Sequence, residues 1–235
     1  MLLKFLDDAA LVAEVSHLLT VAEEALEARR KEFAKNVIDP FAAMFEMAGF
    51  GLDHDGWVRA ELMRQAQKTL LNHVGGFHQN ILGSVKGWEN MNTGSVVDVV
   101  SHEHKVIAEV KNKHNTLSGG KRSDQYSNLE KLVMQKASRY HGYTSYFVTI
   151  IPKTPERFDR PFTPSEKETG ARVQENALVR EIDGASFYQL VTGEKDALAQ
   201  LFEVLPNVVA GISGKEADPS DRAALKAYFS NAFAP

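Results

Sequence analysis

The chain changes its hydrophobic period once, just after Gly83, and that change limits the folds open to it. Before it, apolar residues recur at three- and four-residue steps. Leu11, Val15, Leu18, Leu19, Ala22, Ala25, Leu26 and Phe33 predict one amphipathic helix over 8–35. Asp7 or Asp8 is placed to cap it, and Arg29, Arg30, Lys31 and Lys35 suit the negative end of its dipole. Asp39-Pro40 opens a second, short helix that Gly49-Phe50-Gly51 closes. Residues 56–82 predict a third, with Leu62, Ala66, Leu70, Leu71 and Val74 on one face and a weak point at Gly75-Gly76.

After Gly83 the period is two. Residues 94–101 (GSVVDVVS) and 105–113 (KVIAEVKNK) are β-branched and alternate, so they predict a pair of strands. A helix over 124–140 follows, with Leu129, Leu132, Val133 and Ala137 as its inner face, then a strong strand over 143–151. Residues 152–176 lack periodicity, and loops that long in a compact chain usually serve function. A short strand at 177–182 and helices at 184–192, 195–211 and 219–232 complete the chain. The order predicts an α/β (α+β) fold with a small mixed sheet flanked by helices. We expect a single domain over 1–235: a mainly helical part at 1–83, a mixed core at 84–182 and C-terminal helices at 183–235.

Composition removes whole classes. The 235 residues contain no cysteine, which excludes a disulfide framework, a zinc–thiolate site and a cysteine nucleophile. No apolar run reaches the ~18 residues of a membrane span, and acids interrupt the start MLLKFLDDAALVAEV, so neither a spanning helix nor a signal peptide is expected. A reducing cytoplasm is compatible with the chain. Net charge is −4, an unpromising sign for a nucleic-acid binder. Its distribution is not uniform: residues 101–180 hold 14 basic and 9 acidic side chains, between acidic flanks. A polyanion responds to a local face rather than to the total. Chance clustering is the plain alternative.

The chemistry concentrates in Asn92–Asp98 and Ala108–Lys113. Strand alternation puts Glu109, Lys111 and Lys113 on one face, and Val110 and Asn112 on the other. If 103 and 104 turn the chain, paired residues sum to 207 and Asp98 faces Glu109. Two opposed carboxylates among valines and isoleucines are unfavourable without a compensating charge. Lys111 is one such charge. A divalent cation is another, because Mg²⁺ takes one or two carboxylates, and the Val110 carbonyl is a further candidate ligand. Carboxylates, cation and lysine together suit phosphodiester hydrolysis. An ordinary salt-bridged hairpin is the alternative.

These residues resemble the PD…(D/E)xK nucleases, with Asp98 as the first acid, Glu109 as the second and Lys111 as the lysine. Val97 stands where a proline often precedes the first acid. EVKNKHNT at 109–116, SDQYSNLEKL at 123–132 and IPKTPERFDRPFTPSE at 151–166 are similar to type II restriction endonucleases, closest to the group that cuts GGNCC, over about residues 50–210. The resemblance implies a restriction-endonuclease-like core and Mg²⁺-dependent, sequence-specific cleavage of double-stranded DNA. It implies a homodimer on a short palindrome, a cognate DNA methyltransferase and a prokaryotic cytoplasm. A repair or junction-resolving nuclease, or a non-catalytic DNA-binding module, remains open.

The candidate DNA contacts are Lys113 and Asn115 after the active strand, Lys121 and Arg122 in a basic SGGKRS loop, and Lys153, Arg157, Arg160 and Arg172 in or beside the long loop. Arginine can bind guanine O6 and N7 with two bonds. SGGKRS lacks the upstream glycine of a phosphate loop, since Asn115 stands there. Glu61 is a possible extra acid, because related nucleases bring a helical acid to the metal. His102 and His104 read as exposed turn residues, His73 and His78 as helix-end residues, and Phe158 and Phe162 as loop anchors.

Overall fold

A computed structural model describes residues 1–35, 37–92, 96–216 and 218–233. The chain packs as two compact units, Val15–Gly76 and the remainder.

The helical unit follows the sequence closely. Helix α1 spans Asp8–Glu32 and passes into a 3-10 turn over Phe33–Lys35. Helix α2, Pro40–Phe50, is capped by the Asp39 carboxylate, which accepts the Phe41 and Ala42 N–H groups. Gly51 ends it in the left-handed region at φ 66°. Helix α3, His54–Gly83, runs through Gly75-Gly76 without a break. Within this unit the Trp57 indole donates to Glu46 at 2.8 Å.

The larger unit is built on one mixed sheet: β1 Glu89–Asn90, β2 Val99–Ser101, β3 Val106–Lys113, β4 Thr144–Ile151, β5 Asp159–Pro161 and β6 Val179–Asp183, in the order β1-β2-β3-β4-β6-β5. The β3–β4 and β4–β6 pairs are parallel and the rest antiparallel. A parallel pair needs a crossover, and α4, Gly119–Met134, supplies it between β3 and β4. Its Tyr126, Leu129 and Val133 bury against Ile107, Phe147 and Phe162 on one sheet face. Helix α5, Gly184–Thr192, lies against β4 and β6, its Phe187 in ring contact with Tyr146 of β4 and with Trp88. Gly184 is required there: a Cβ would stand 2.4 Å from the Ile150 carbonyl oxygen. Helices α6, Ala197–Ser213, and α7, Pro219–Ala232, follow. This is a restriction-endonuclease-like arrangement, a mixed α/β sheet with helices on its faces.

The hairpin register is the predicted one. Val99 faces Ala108, Val100 faces Ile107 and Ser101 faces Val106, each pair summing to 207. The first strand is shorter than predicted: of the expected 94–101, Val99–Ser101 is strand, 96–98 are bends, and 94–95 lie outside the described residues. The crossover helix begins five residues early and stops six early, with Ala137 exposed beyond its end. So 119–122 form the first turn of α4 rather than a loop. The long stretch 152–176 is not free of structure. It holds β5 and an isolated bridge between Ser165 and Arg172, and Phe162 is fully buried, stacked on Phe147 at 4.8 Å.

Candidate active site

The site begins where β2 meets β3. The Asp98 N–H donates to the Ala108 carbonyl at 2.9 Å, although Val99 already faces Ala108. Two residues against one is the pattern of a bulge, and a bulge re-aims a side chain. Asp98 therefore leaves the ladder instead of facing Glu109 squarely. Its carboxylate takes the Val110 N–H at 2.7 Å. Its carbonyl accepts the Met91 N–H at 2.8 Å, so every backbone polar group of Asp98 is paired.

Glu109 and Lys111 share a face of β3 as alternation demands, and the Lys111 ammonium lies 2.5 Å from Glu109 Oε1. Glu109 is buried and Lys111 is mostly covered. Gln125 of α4 donates to the same Oε1 at 3.1 Å. Gln79 of α3 reaches the Val110 carbonyl at 3.5 Å, and its side chain also bonds Asp98. Neither glutamine stood among the sequence candidates. Their amides carry no charge and lie on helices distant in sequence, so helical phase was the only available signal.

Electrostatics set the character of this place. Burial raises the Asp98 carboxyl above its ordinary range, against the pull of the Val110 amide, Lys111 and Gln79. Burial raises Glu109 as well, and the charge of Asp98 raises it further, while Lys111 and Gln125 oppose. Two largely buried carboxylates share one ammonium, which leaves a net −1 when all three are ionised. The arrangement fits a divalent cation: two carboxylate donors, the Val110 carbonyl beside them and a residual negative charge. Among the described residues no cluster of three His, Asp or Glu side chains could hold a metal ion, so a cation bound here would take further oxygen ligands from water or phosphate.

The remaining candidates divide by what they touch. Lys113, Asn115, Lys121, Lys153 and Arg172 are exposed, and Arg172 makes one long bond to Thr163 at 3.4 Å. Arg122 is different. Its guanidinium pairs with Glu181 at 2.8 Å and lies over the Phe147 and Phe162 rings. Arg160 takes the other Glu181 oxygen at 2.7 Å and stands over Phe158. Arg157 bonds Gln189 and Ser186 at 2.8 and 3.2 Å. Glu61, in the helical unit, is buried and accepts two bonds from Arg64 and one from Gln65, each 2.6 Å. The Arg64 pairing holds its carboxyl below the ordinary range. His102 and His104 are exposed in the turn, stacked on Tyr140 and Trp88. His73 contacts the His17 ring, and His78 bonds the Tyr188 hydroxyl at 2.9 Å.

An Asp just before β2, a Glu-x-Lys on β3 and a helical crossover behind them are the arrangement expected from the resemblance to PD…(D/E)xK nucleases. Residues 3–213 match the Eco47II restriction endonuclease family. The type II restriction enzyme Eco47II of Escherichia coli is 50% identical over 208 residues, 88% of this chain and 87% of that protein. The type II restriction enzyme Sau96I of Staphylococcus aureus is 35% identical over 208 residues, 87% of this chain and 78% of that protein. The chain belongs to the Eco47II restriction endonuclease family, and by that membership it is a type II restriction enzyme, a site-specific deoxyribonuclease.

Proposed function

We propose that this enzyme hydrolyses both strands of a short GC-rich palindrome, GGNCC, in double-stranded DNA, with Mg²⁺ as cofactor and as a homodimer. A cognate methyltransferase would protect host DNA in the same prokaryotic cytoplasm. The observation that carries the reading is the meeting of Asp98, Glu109 and Lys111 at the end of one bulged hairpin.

Asp98, Glu109 and the Val110 carbonyl hold the cation. Once bound, it supplies positive charge that offsets charge developing on the attacked phosphate. Lys111 is the residue placed to act on the attacking water. Its ammonium sits on Glu109, within reach of a water beside that carboxylate, and can orient it or donate to the phosphate oxygens. Gln125 fixes the rotamer of Glu109, and Gln79 fixes Asp98 and the Val110 carbonyl.

Lys113, Asn115, Lys121, Lys153 and Arg172, exposed on or beyond the ends of β3 and β4 and on nearby segments, are proposed to contact phosphates or base edges. Arg122, Arg157 and Arg160 already have partners within the chain, so we assign them to holding the loop and β6.

Digestion of a plasmid of known sequence, with Mg²⁺ and with EDTA, tests the proposal. Discrete Mg²⁺-dependent fragments whose ends map to GGNCC are expected. A smear, or cutting undiminished by EDTA, would overturn it.

A further inference from the structure

Among the described residues nothing covers the apolar outer face of helix α2. Its eleven residues, PFAAMFEMAGF, carry one charge, Glu46, and that carboxylate is bonded to Trp57. Ala43 faces inward. Phe41, Met44, Phe45 and Ala48 recur at three- and four-residue steps on the outer side, and all are exposed: Phe41 70%, Met44 52% and Phe45 69%. Both aromatic rings stand in water on a helix whose ends are well capped. Caps of this kind define the helix and so rule out a frayed segment as the cause.

We infer that this stripe docks against the same stripe of a second copy of the chain. The inference rests on the reading of a two-fold symmetric DNA substrate, which calls for two-fold protein symmetry. Three observations favour a copy of the chain as the occupant. The stripe carries no charge, so bringing it against itself sets no like charges together. Its apolar area is on the order of 400 Å². A standard interface covers about 800 Å² per partner, of which about 60% is apolar, so the stripe with a polar rim is close to one half of such an interface. The flanks are acidic: Asp39 precedes α2, and Asp53 and Asp55 follow it. A lipid surface would instead favour lysine and arginine beside the apolar face, and α2 has neither.

The test is the oligomeric state of the full chain in solution. The wild type is expected to be a dimer at micromolar concentration. F41E combined with F45E, both at exposed positions, is expected to be a folded monomer by light scattering and circular dichroism. The chain has no cysteine, so M44C reports only itself. Helix axes packed at about 8–10 Å bring the centre of a two-fold stripe beside its own copy, so M44C should cross-link rapidly. Exposed K226C, on α7, should not. If F41E with F45E does not fold, the M44C result decides. A monomeric wild type at tens of micromolar, a dimeric F41E–F45E protein, or a dimer in which M44C does not cross-link would each overturn the inference. Plasmid cleavage by the same wild-type sample separates the two readings. A dimer through α2 that does not cut at GGNCC leaves this surface standing and sinks the proposed cleavage site, whereas an active monomer removes this surface and the homodimer while cleavage stands.

Discussion

The Asp98 carboxylate accepts the backbone N–H of Val110 at 2.7 Å. One acid of the site is thus tied to the strand that carries the other, Glu109, and to the carbonyl between Glu109 and Lys111. A shift of β2 along β3 would break this bond and part Asp98 from Glu109 and the Val110 carbonyl. Side-chain freedom is removed before any cation or DNA arrives, which lowers the entropy cost of assembling the site.

Removing the acids should separate activity from stability. E109Q deletes a buried charge that Asp98 raises in pKa, so its melting temperature should equal or exceed that of the wild type. Its cleavage rate should fall by at least about 10²–10³-fold. Mg²⁺ at about 100 times its Kd should stabilise the wild type by about 2.7 kcal/mol. D98N combined with E109Q should show no such shift in a thermal melt. A double variant that Mg²⁺ still stabilises would place the cation elsewhere.

Gln125 is predicted to act through Glu109. Q125A removes one neutral hydrogen bond to Oε1, at a stability cost of about 1 kcal/mol and a comparable, roughly fivefold, loss in single-turnover rate. Q125E adds a third carboxylate to an already repelled pair and should be worse than Q125A. Equal rates for wild type and Q125A would remove the positioning role.

Two neighbouring basic residues should behave oppositely. Arg122 lies over two rings and pairs with Glu181, so R122A should destabilise the fold by about 1–3 kcal/mol in urea unfolding. R122K should recover little of that, because an ammonium cannot copy the planar stack. Lys121 is exposed, so K121A should leave stability within about 0.5 kcal/mol. If Lys121 touches a phosphate, K121A should reduce the salt dependence of DNA binding by about one unit of slope. A stable R122A protein, or an unchanged slope for K121A, would refute the respective half.

His78 should make the fold acid-sensitive. Half-buried beside Tyr188, its imidazole is pushed by lost solvation down to about 4, below the ~6.5 of an unfolded chain. Between these values the unfolded state binds the extra proton. The contribution is therefore fully present above about pH 6.5 and is lost as pH falls toward 4, by up to about 3 kcal/mol. H78Q keeps a polar partner for the Tyr188 hydroxyl and should flatten this part of the stability curve. Matching slopes for wild type and H78Q would rule out His78 as its origin.

The placing of Glu109 and Lys111 on one face of β3, and of β2 beside it, was legible before any tertiary contact was known. Alternation put Glu109 and Lys111 on one face, and the turn at 102–105 set the pairing sum that brings β2 beside β3. Both are short-range consequences of backbone geometry, which residue order determines by itself. The caps of α2 and the break in period at Gly83 are local for the same reason. What required the folded chain was every contact made at long range. The bulge at Asp98 depends on which donor its carboxylate meets. Gln79 and Gln125 reach the site from helices whose phase is set by packing of apolar neighbours, not by the amides themselves. Arg122, Arg157 and Arg160 look like free cations in sequence, and tertiary structure decides that they have partners inside the chain. A charge is visible in sequence, but whether it is neutralised depends on what folds against it.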